Sequence, residues 1–388
     1  MDDYIILKKQ SAALTRARSF TNLAAGDASL ALTTERLSIE DAAKLAAEPD
    51  VQEIASVMPT RLIEPLDAGA SSQFEAWGLV ATGADRSPYQ GTGVTVAVLD
   101  TGIDKAHPAF TGVSLIEEDF SGDGNGDRQG HGTHCAGTIF GRGSAPRIGV
   151  APNIPRALIG KVLRDSGSGS SEMIFRGLQW AAEQGANIIS MSLGFDFPGL
   201  VAKRIASGVP AELATSEALD TYRHNLRMFD RVMAMLQARC AFGGAPLVIA
   251  AAGNESRRAT NPVWRIAAGL PAAAEGVISV AAVGRSGDGF QVAPFSNSHA
   301  LVCAPGVDIL SAAAGGGLKT LSGTSMACPH VAGLAALWWE AMAKTRGRAT
   351  PVNVQTALLG SARRERLMPA PLTIDFGEGF VTAPQNLS

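Results

Sequence analysis

VTVAVLDTGID, residues 94–104, carries the reading on which the fold turns. Its first six residues are a β-rich, nearly uninterrupted apolar run, closed by Asp100. A strand buried on both faces of a parallel sheet reads this way, whereas a half-exposed strand alternates. The pattern recurs in RALIGKVL (156–163), ANIISMSLG (186–194), PLVIAAAGN (246–254) and GVISVAAVG (276–284). Between these runs, SSEMIFRGLQWAAEQG (170–185) and ELATSEALDTYRHNLRMFDRVMAMLQARC (212–240) have helical spacing. Strands alternating with helices predict an α/β fold, a doubly wound, mostly parallel sheet flanked by helices. Such folds gather their functional groups at the carboxyl ends of the strands. Asp100, Ser192, Gly194 and Asn254 all stand at such ends.

Upstream, residues 1–66 read as a small α+β module. Tyr4 to Leu7 predicts a strand, and Val51 to Val57 another. Between them Ser38 and Asp41 give an N-cap signature. Ala42, Leu45 and Ala46 form the apolar face of a helix that Glu48-Pro49 ends. A module of this size has little core of its own and is expected to lean on the larger body, residues 67–388.

Composition removes several classes of function. The 388 residues carry 33 Lys+Arg against 36 Asp+Glu, a net charge of −3 that argues against nucleic acid as a partner. Hydrophobic residues make up 46%, which excludes a disordered or fibrous chain. No run approaches the ~20 apolar residues of a membrane span, and MDDYIILKKQ at the N-terminus has two acids where a secretory signal carries positive charge. Cys135, Cys240, Cys303 and Cys328 are widely spaced and form no C-x-x-C pair, which fits reduced thiols. A cytoplasmic location is expected, with export by another route left open.

Three segments carry an acid, an imidazole and a nucleophile: VAVLDTGID with Asp100, GHGTHCAGT with His131, and SGTSMACPHVAG with Ser325. A serine hydroxyl needs a base that works near neutral pH, which histidine supplies with little perturbation. His131 takes that role. A carboxylate must hold the imidazole tautomer and stabilise the imidazolium, and Asp100 at a strand end is suited to it. The run after Gly323-Thr324 reads as a helix, so Ser325 is expected at an N-terminus whose dipole favours an oxyanion. Pro329 is expected in the first turn of that helix. His134 and His330 read as hydrogen-bonded structural groups, and Cys135 and Cys328 as small buried hydrophobes.

Asp, His and Ser in this order, with these flanks, resemble the subtilases, the subtilisin-like serine proteases, over roughly residues 72–388. The resemblance implies a serine endopeptidase acting on protein or peptide substrates through an acyl-enzyme. It implies that Asn254 in AAAGNES completes the oxyanion hole. Ser192, Leu193 and Gly194 would be the strand edge that receives an extended peptide. Ala251, Ala252 and Gly253 would form the opposing wall of the pocket for the residue before the scissile bond. Gly269 would lie at the base of that pocket, which implies an apolar preference, with Glu255 at the rim able to favour a basic residue. The N-terminal module resembles an inhibitor-like propeptide, expected to lay residues near 60–70 along the cleft until the protein processes itself. Alternatives are a peptide ligase or macrocyclase on the same fold, and a non-catalytic peptide-binding scaffold.

Two departures from that family stand out. Residues 195–245 carry an enlarged helical insertion, in which Leu219, Tyr222, Leu226, Phe229, Met233 and Leu236 mark an amphipathic helix. It would be either a helix packed on the core or a lid or partner surface. Asp119, Asp123, Asn125 and Asp127 have the oxygen spacing of a structural calcium site. The carboxylate that subtilisin uses for its tight calcium is replaced by Ala109, so no cofactor is expected to be required.

Overall fold

The computed structural model describes residues 1–9, 30–67, 75–143, 146–238, 245–367 and 372–385, which leaves Cys240 and residues 68–70 outside the description. At the N-terminus β1 (Asp2–Lys9), β2 (Leu30–Leu37), α1 (Ile39–Ala46) and β3 (Val51–Ser56) form a small antiparallel sheet with β1 in the middle. Ser38 caps α1 as its spacing predicts, its Oγ accepting the Asp41 N–H at 3.1 Å. β2 was not expected. It is an edge strand with residues 33–36 exposed, paired with β1, and its Leu32 packs on the apolar cluster that holds Ile174 and Leu178 of α4.

The chain leaves this sheet at Ser56. β4 (Pro59–Leu62) and β5 (Leu66–Asp67) pair instead with strands that come more than a hundred residues later, and α2 (Trp77–Thr82) follows them. The main body then runs β6 (Thr95–Asp100), β7 (Ser114–Asp119), α3 (His131–Phe140), β8 (Arg156–Lys161), β9 (Ser168–Ser170) and α4 (Ser171–Glu183). After these come β10 (Ile188–Met191), β11 (Leu193–Phe195), α5 (Phe197–Ala206), α6 (Ala211–Ala238), β12 (Leu247–Ala251), β13 (Val277–Ser286) and β14 (Gly289–Val292). β15 (Val302–Pro305), β16 (Ile309–Ala312), β17 (Leu318–Ser322), α7 (Thr324–Arg346) and α8 (Pro351–Gly360) complete it.

The central sheet has eight strands in the order β14-β13-β12-β10-β6-β8-β7, with β15 also on β13. Every pairing is parallel except β13 with β14. This is the doubly wound, mostly parallel α/β sheet expected from the apolar runs. The period of two in β6 shows why those runs lack polar positions. Val96 and Val98 face one apolar cluster with Ile139 of α3 and Val331 of α7. Ala97 and Leu99 face the other, with Ile174 and Leu178 of α4 and Phe229 of α6. Both faces are dry, so both must be apolar. The strand order reverses direction around β6, and Asp100 lies at its carboxyl end, where such sheets place their sites.

The run 186–194 divides into β10 and β11, with Ser192 at the break. β11 leaves the central sheet and pairs with β4. The helix in the insertion begins within a residue of its expected start, and α5 precedes it unanticipated. Its buried face is shifted from the expected one. Ala218, Met228, Val232, Phe229, Met233 and Leu236 are buried, while Leu219 is 42% exposed.

Candidate active site

Asp100 ends β6 and His131 begins α3. A Cβ on Gly132 would lie 2.2 Å from the Gly102 carbonyl oxygen, so only glycine lets α3 start this close to the turn after Asp100. In that contact His131 Nδ1 lies 2.8 Å from Asp100 Oδ1, which also accepts the Thr101 N–H at 2.8 Å. Both side chains are 1% exposed. With Nδ1–H given to the carboxylate, Nε2 is the basic nitrogen. Nε2 is buried and has no hydrogen-bond partner among the described residues.

Asp127, expected among calcium ligands, serves this corner. Its Oδ1 accepts the Gly130 N–H and the Thr101 hydroxyl, and its Oδ2 accepts the N–H and hydroxyl of Thr133. It caps the start of α3 and ties it to the residue after Asp100. Asp119 is likewise occupied by its own loop, with Ser121, Gly122 and Gly124 as donors. These donors outweigh the opposing effect of burial and hold its carboxyl below the usual range. Asp123 accepts the Asp165 N–H. Among the described residues, the only cluster of His, Cys, Asp and Glu with ligand atoms within 4.8 Å of one another is Asp100, His131 and Cys135. Asp119, Asp123 and Asp127 thus turn carboxylate oxygens to separate donors, Asp119 in its own loop, Asp123 on Asp165 and Asp127 at the start of α3.

Ser325 is the second residue of α7, fully buried, and Pro329 is the sixth, not in the first turn as expected. A proline there removes the N–H that would bond the carbonyl four residues back, which is that of Ser325. The freed oxygen accepts the Ser192 hydroxyl at 3.2 Å and the Cys135 thiol at 3.4 Å. Burial pushes the Cys135 thiol well up, with the nearby Asp100 carboxylate adding to it, so Cys135 remains a protonated donor. Asn254 is oriented by Thr324, whose N–H and hydroxyl both donate to Asn254 Oδ1 at 2.9 Å. Its amide nitrogen thus faces the cleft. Gly253 before it has φ +109°, a left-handed conformation that suits glycine, and its N–H donates to the Thr324 hydroxyl. Thr324 was missed from sequence, where it stands only at the start of the expected helix.

The cleft holds part of the chain itself. β4 lies antiparallel between β9 and β11, pairing Arg61 with Gly194 and Leu62 with Leu193. The Leu62 N–H also donates to Gly167 O at 2.8 Å. Ser325 Oγ donates to the Ile63 carbonyl at 3.1 Å, and Asn254 Nδ2 donates to the next carbonyl, that of Glu64, at 2.9 Å. β5 then pairs with β17 beyond the nucleophile. Ile63 is 4% exposed and joins the apolar cluster that contains Ala251 and Ala252. Its Cγ1 lies 3.6 Å from where a Gly194 Cβ would be, and the space over Gly269 is open.

Leu193 and Gly194 pair with β4 in this ladder. Ser192 contributes its hydroxyl to Ser325. Glu255 meets Arg61 at 3.4 Å and Asn297 at 2.7 Å. It therefore faces a residue two positions before Ile63, not the pocket residue itself.

Residues 91–381 match the family model described as the subtilase family. The chain is similar to Subtilisin DY of Bacillus licheniformis, 34% identical over 277 residues, covering 69% of this chain and 85% of that protein. It is 37% identical to an "Intracellular serine protease" of Paenibacillus polymyxa over 262 residues, 64% of this chain and 67% of the relative. A "Cuticle-degrading serine protease" of Orbilia oligospora is 34% identical over 286 residues, 71% of this chain but 55% of that protein, so the chain spans little more than half the length of some relatives.

Proposed function

The chain belongs to the subtilase family of peptidases, and from that premise we propose that it is a serine endopeptidase with Asp100, His131, Ser325 and Asn254 as its catalytic residues. One observation carries the reading: a stretch of extended peptide lies in the cleft with a carbonyl 3.1 Å from Ser325 Oγ. In the proposed reaction His131 Nε2 takes the Ser325 proton as Oγ bonds to the substrate carbonyl carbon. Asn254 Nδ2 and the Ser325 N–H, unpaired within the helix at its N-terminus, hold the oxyanion. The imidazolium, stabilised by Asp100, returns the proton to the leaving amine as the C–N bond breaks. Water then resolves the acyl-enzyme by the same proton route.

The burial of Ile63 beside Gly194 supports a preference for an apolar residue before the scissile bond. Residues 59–67 act, in this reading, as an intramolecular inhibitor that is also the first substrate. Ser325 Oγ bonds to Ile63 O and not to His131, and Asn254 holds the carbonyl of Glu64, one residue beyond the one under attack. Both bonds must exchange before the Ile63–Glu64 bond is cut, which makes the first cut slow. Reduced, buried Cys135, Cys303 and Cys328 support a cytoplasmic location. No helix among the described residues is long and apolar enough to cross a membrane.

A fluorophosphonate probe tests the assignment. It is expected to label the wild type, to fail with Ser325→Ala, and to react about 10²–10³-fold more slowly with Asn254→Ala, the loss typical of one oxyanion donor. Labelling that persists in Ser325→Ala contradicts it.

A further inference from the structure

We infer that the cleft selects a basic residue two positions before the one in the apolar pocket, through Asp196 and Glu255. This rests on the endopeptidase reading above. Arg61 occupies that position, paired with Gly194 two residues before Ile63. Its Nη1 lies 3.5 Å from Asp196 Oδ1 and its Nη2 lies 3.4 Å from Glu255 Oε1. The acids come from separate segments: Asp196 precedes α5, and Glu255 follows Asn254.

Neither carboxylate depends on Arg61 for its placement. Asp196 Oδ1 caps α5 by accepting the Gly199 N–H at 3.1 Å, and Glu255 Oε2 accepts Asn297 Nδ2 at 2.7 Å. Asn297 Oδ1 in turn accepts the Glu255 and Ser256 N–H groups, which fixes the loop that carries Glu255. Two anchored anions facing one position favour a cation there and repel an acid. The space around the guanidinium also suits a long stem. Arg61, Pro198, Glu255, Trp264 and Ile266 line a cavity of about 700 Å³. Trp264 and Ile266 are about half exposed and offer apolar wall to the methylenes of Arg or Lys.

The Arg61 side chain is 46% exposed, so each ion pair is of the weak, salt-screened kind. One such pair shifts an equilibrium by at most about fivefold, and two together by roughly five- to tenfold. The test uses fluorogenic peptides spanning residues 58–66 with Arg, Gln or Glu in the place of Arg61. The expected order of kcat/KM is Arg, then Gln, then Glu, with an Arg-to-Gln ratio of roughly five to ten. That ratio falls towards one in the Asp196→Asn, Glu255→Gln double variant, and in 0.5 M salt, where the Debye length is about 4 Å. Because the ratio is taken within each enzyme, a loss of folded protein in the variant does not disturb it. Cleavage of all three peptides at equal rates, or a ratio that survives the double variant, overturns the inference. If the probe labels Ser325 and the peptides are cut without preference, only this inference falls. If nothing is labelled or cut, the endopeptidase reading falls and takes it along.

Discussion

Pro329 leaves the Ser325 carbonyl without its helical donor, and two side chains from other elements fill the place. The nucleophile's backbone is thereby tied to β10–β11 through Ser192 and to α3 through Cys135. The same helix shows a second economy of donors in His330, whose Nδ1 donates to Met326 O at 2.8 Å. His134 in α3 uses Nε2 to donate to Ile309 O and Lys319 O, both at 3.1 Å. Burial, aided for His134 by nearby His131, lowers their pKa values to about 3 for His134 and about 4 for His330, so both are neutral in the folded protein. Unfolded, each binds a proton near its ordinary pKa of 6.5. Between those values the unfolded chain holds more protons, and stability is lost as pH falls. The melting temperature should therefore be level above pH about 6.5 and decline steadily towards pH 4. A melting temperature flat across that window contradicts the assignment of both as buried neutral groups. Asp100, His131 and Ser325 could be proposed from the sequence because short flanking motifs, which resemble those of subtilases, surround each. Thr324 and Asp127 were not legible as partners of the site, since their roles depend on contacts 70 and 26 residues away.

At the scale of elements, α6 answers what the insertion does. It packs Phe229, Val232 and Met233 on the sheet and presents His224, Asn225 and Arg231 to β3. Glu53 of β3 takes His224 Nδ1 at 3.2 Å and Arg231 Nε at 3.3 Å, and Asn225 Nδ2 donates to Ser56 O at 2.9 Å. The partner of the insertion is thus the chain's own N-terminal sheet. Its Tyr222 also accepts the Leu270 N–H at 3.1 Å. Glu53→Ala, made in the Ser325→Ala background so that no cut can intervene, should speed amide exchange in residues 51–56 by roughly five- to tenfold. Unchanged exchange would mean that the Glu53 ion pairs do not hold the module on α6. The start and apolar character of α6 were readable from its 3.6-residue period. Its buried face was not, because Ala218 is covered by Leu200 of α5 and by Met58 just before β4, neither of which the helical period reveals.

Across the whole molecule, a small antiparallel sheet docks on α6 and sends residues 59–67 through the cleft of a large parallel one. Apolar runs revealed the large sheet because burial on both faces leaves no room for polar positions. The passage of β4 between β9 and β11 is not visible in PTRL, since strand pairing over such distances leaves no local mark. Glu340 of α7 secures the other end of the body. It accepts the N–H groups of Gln90, Gly91 and Thr92 and the Lys344 ammonium. In the proposed reading this chain is an endopeptidase whose own residues 59–67 lie in the cleft as its first substrate. Intact mass and N-terminal residue, followed over long incubation beside Ser325→Ala, test it most directly. The account predicts that the wild type is cut between Ile63 and Glu64 and begins at Glu64, while Ser325→Ala stays whole. Equal masses for the two proteins would contradict it.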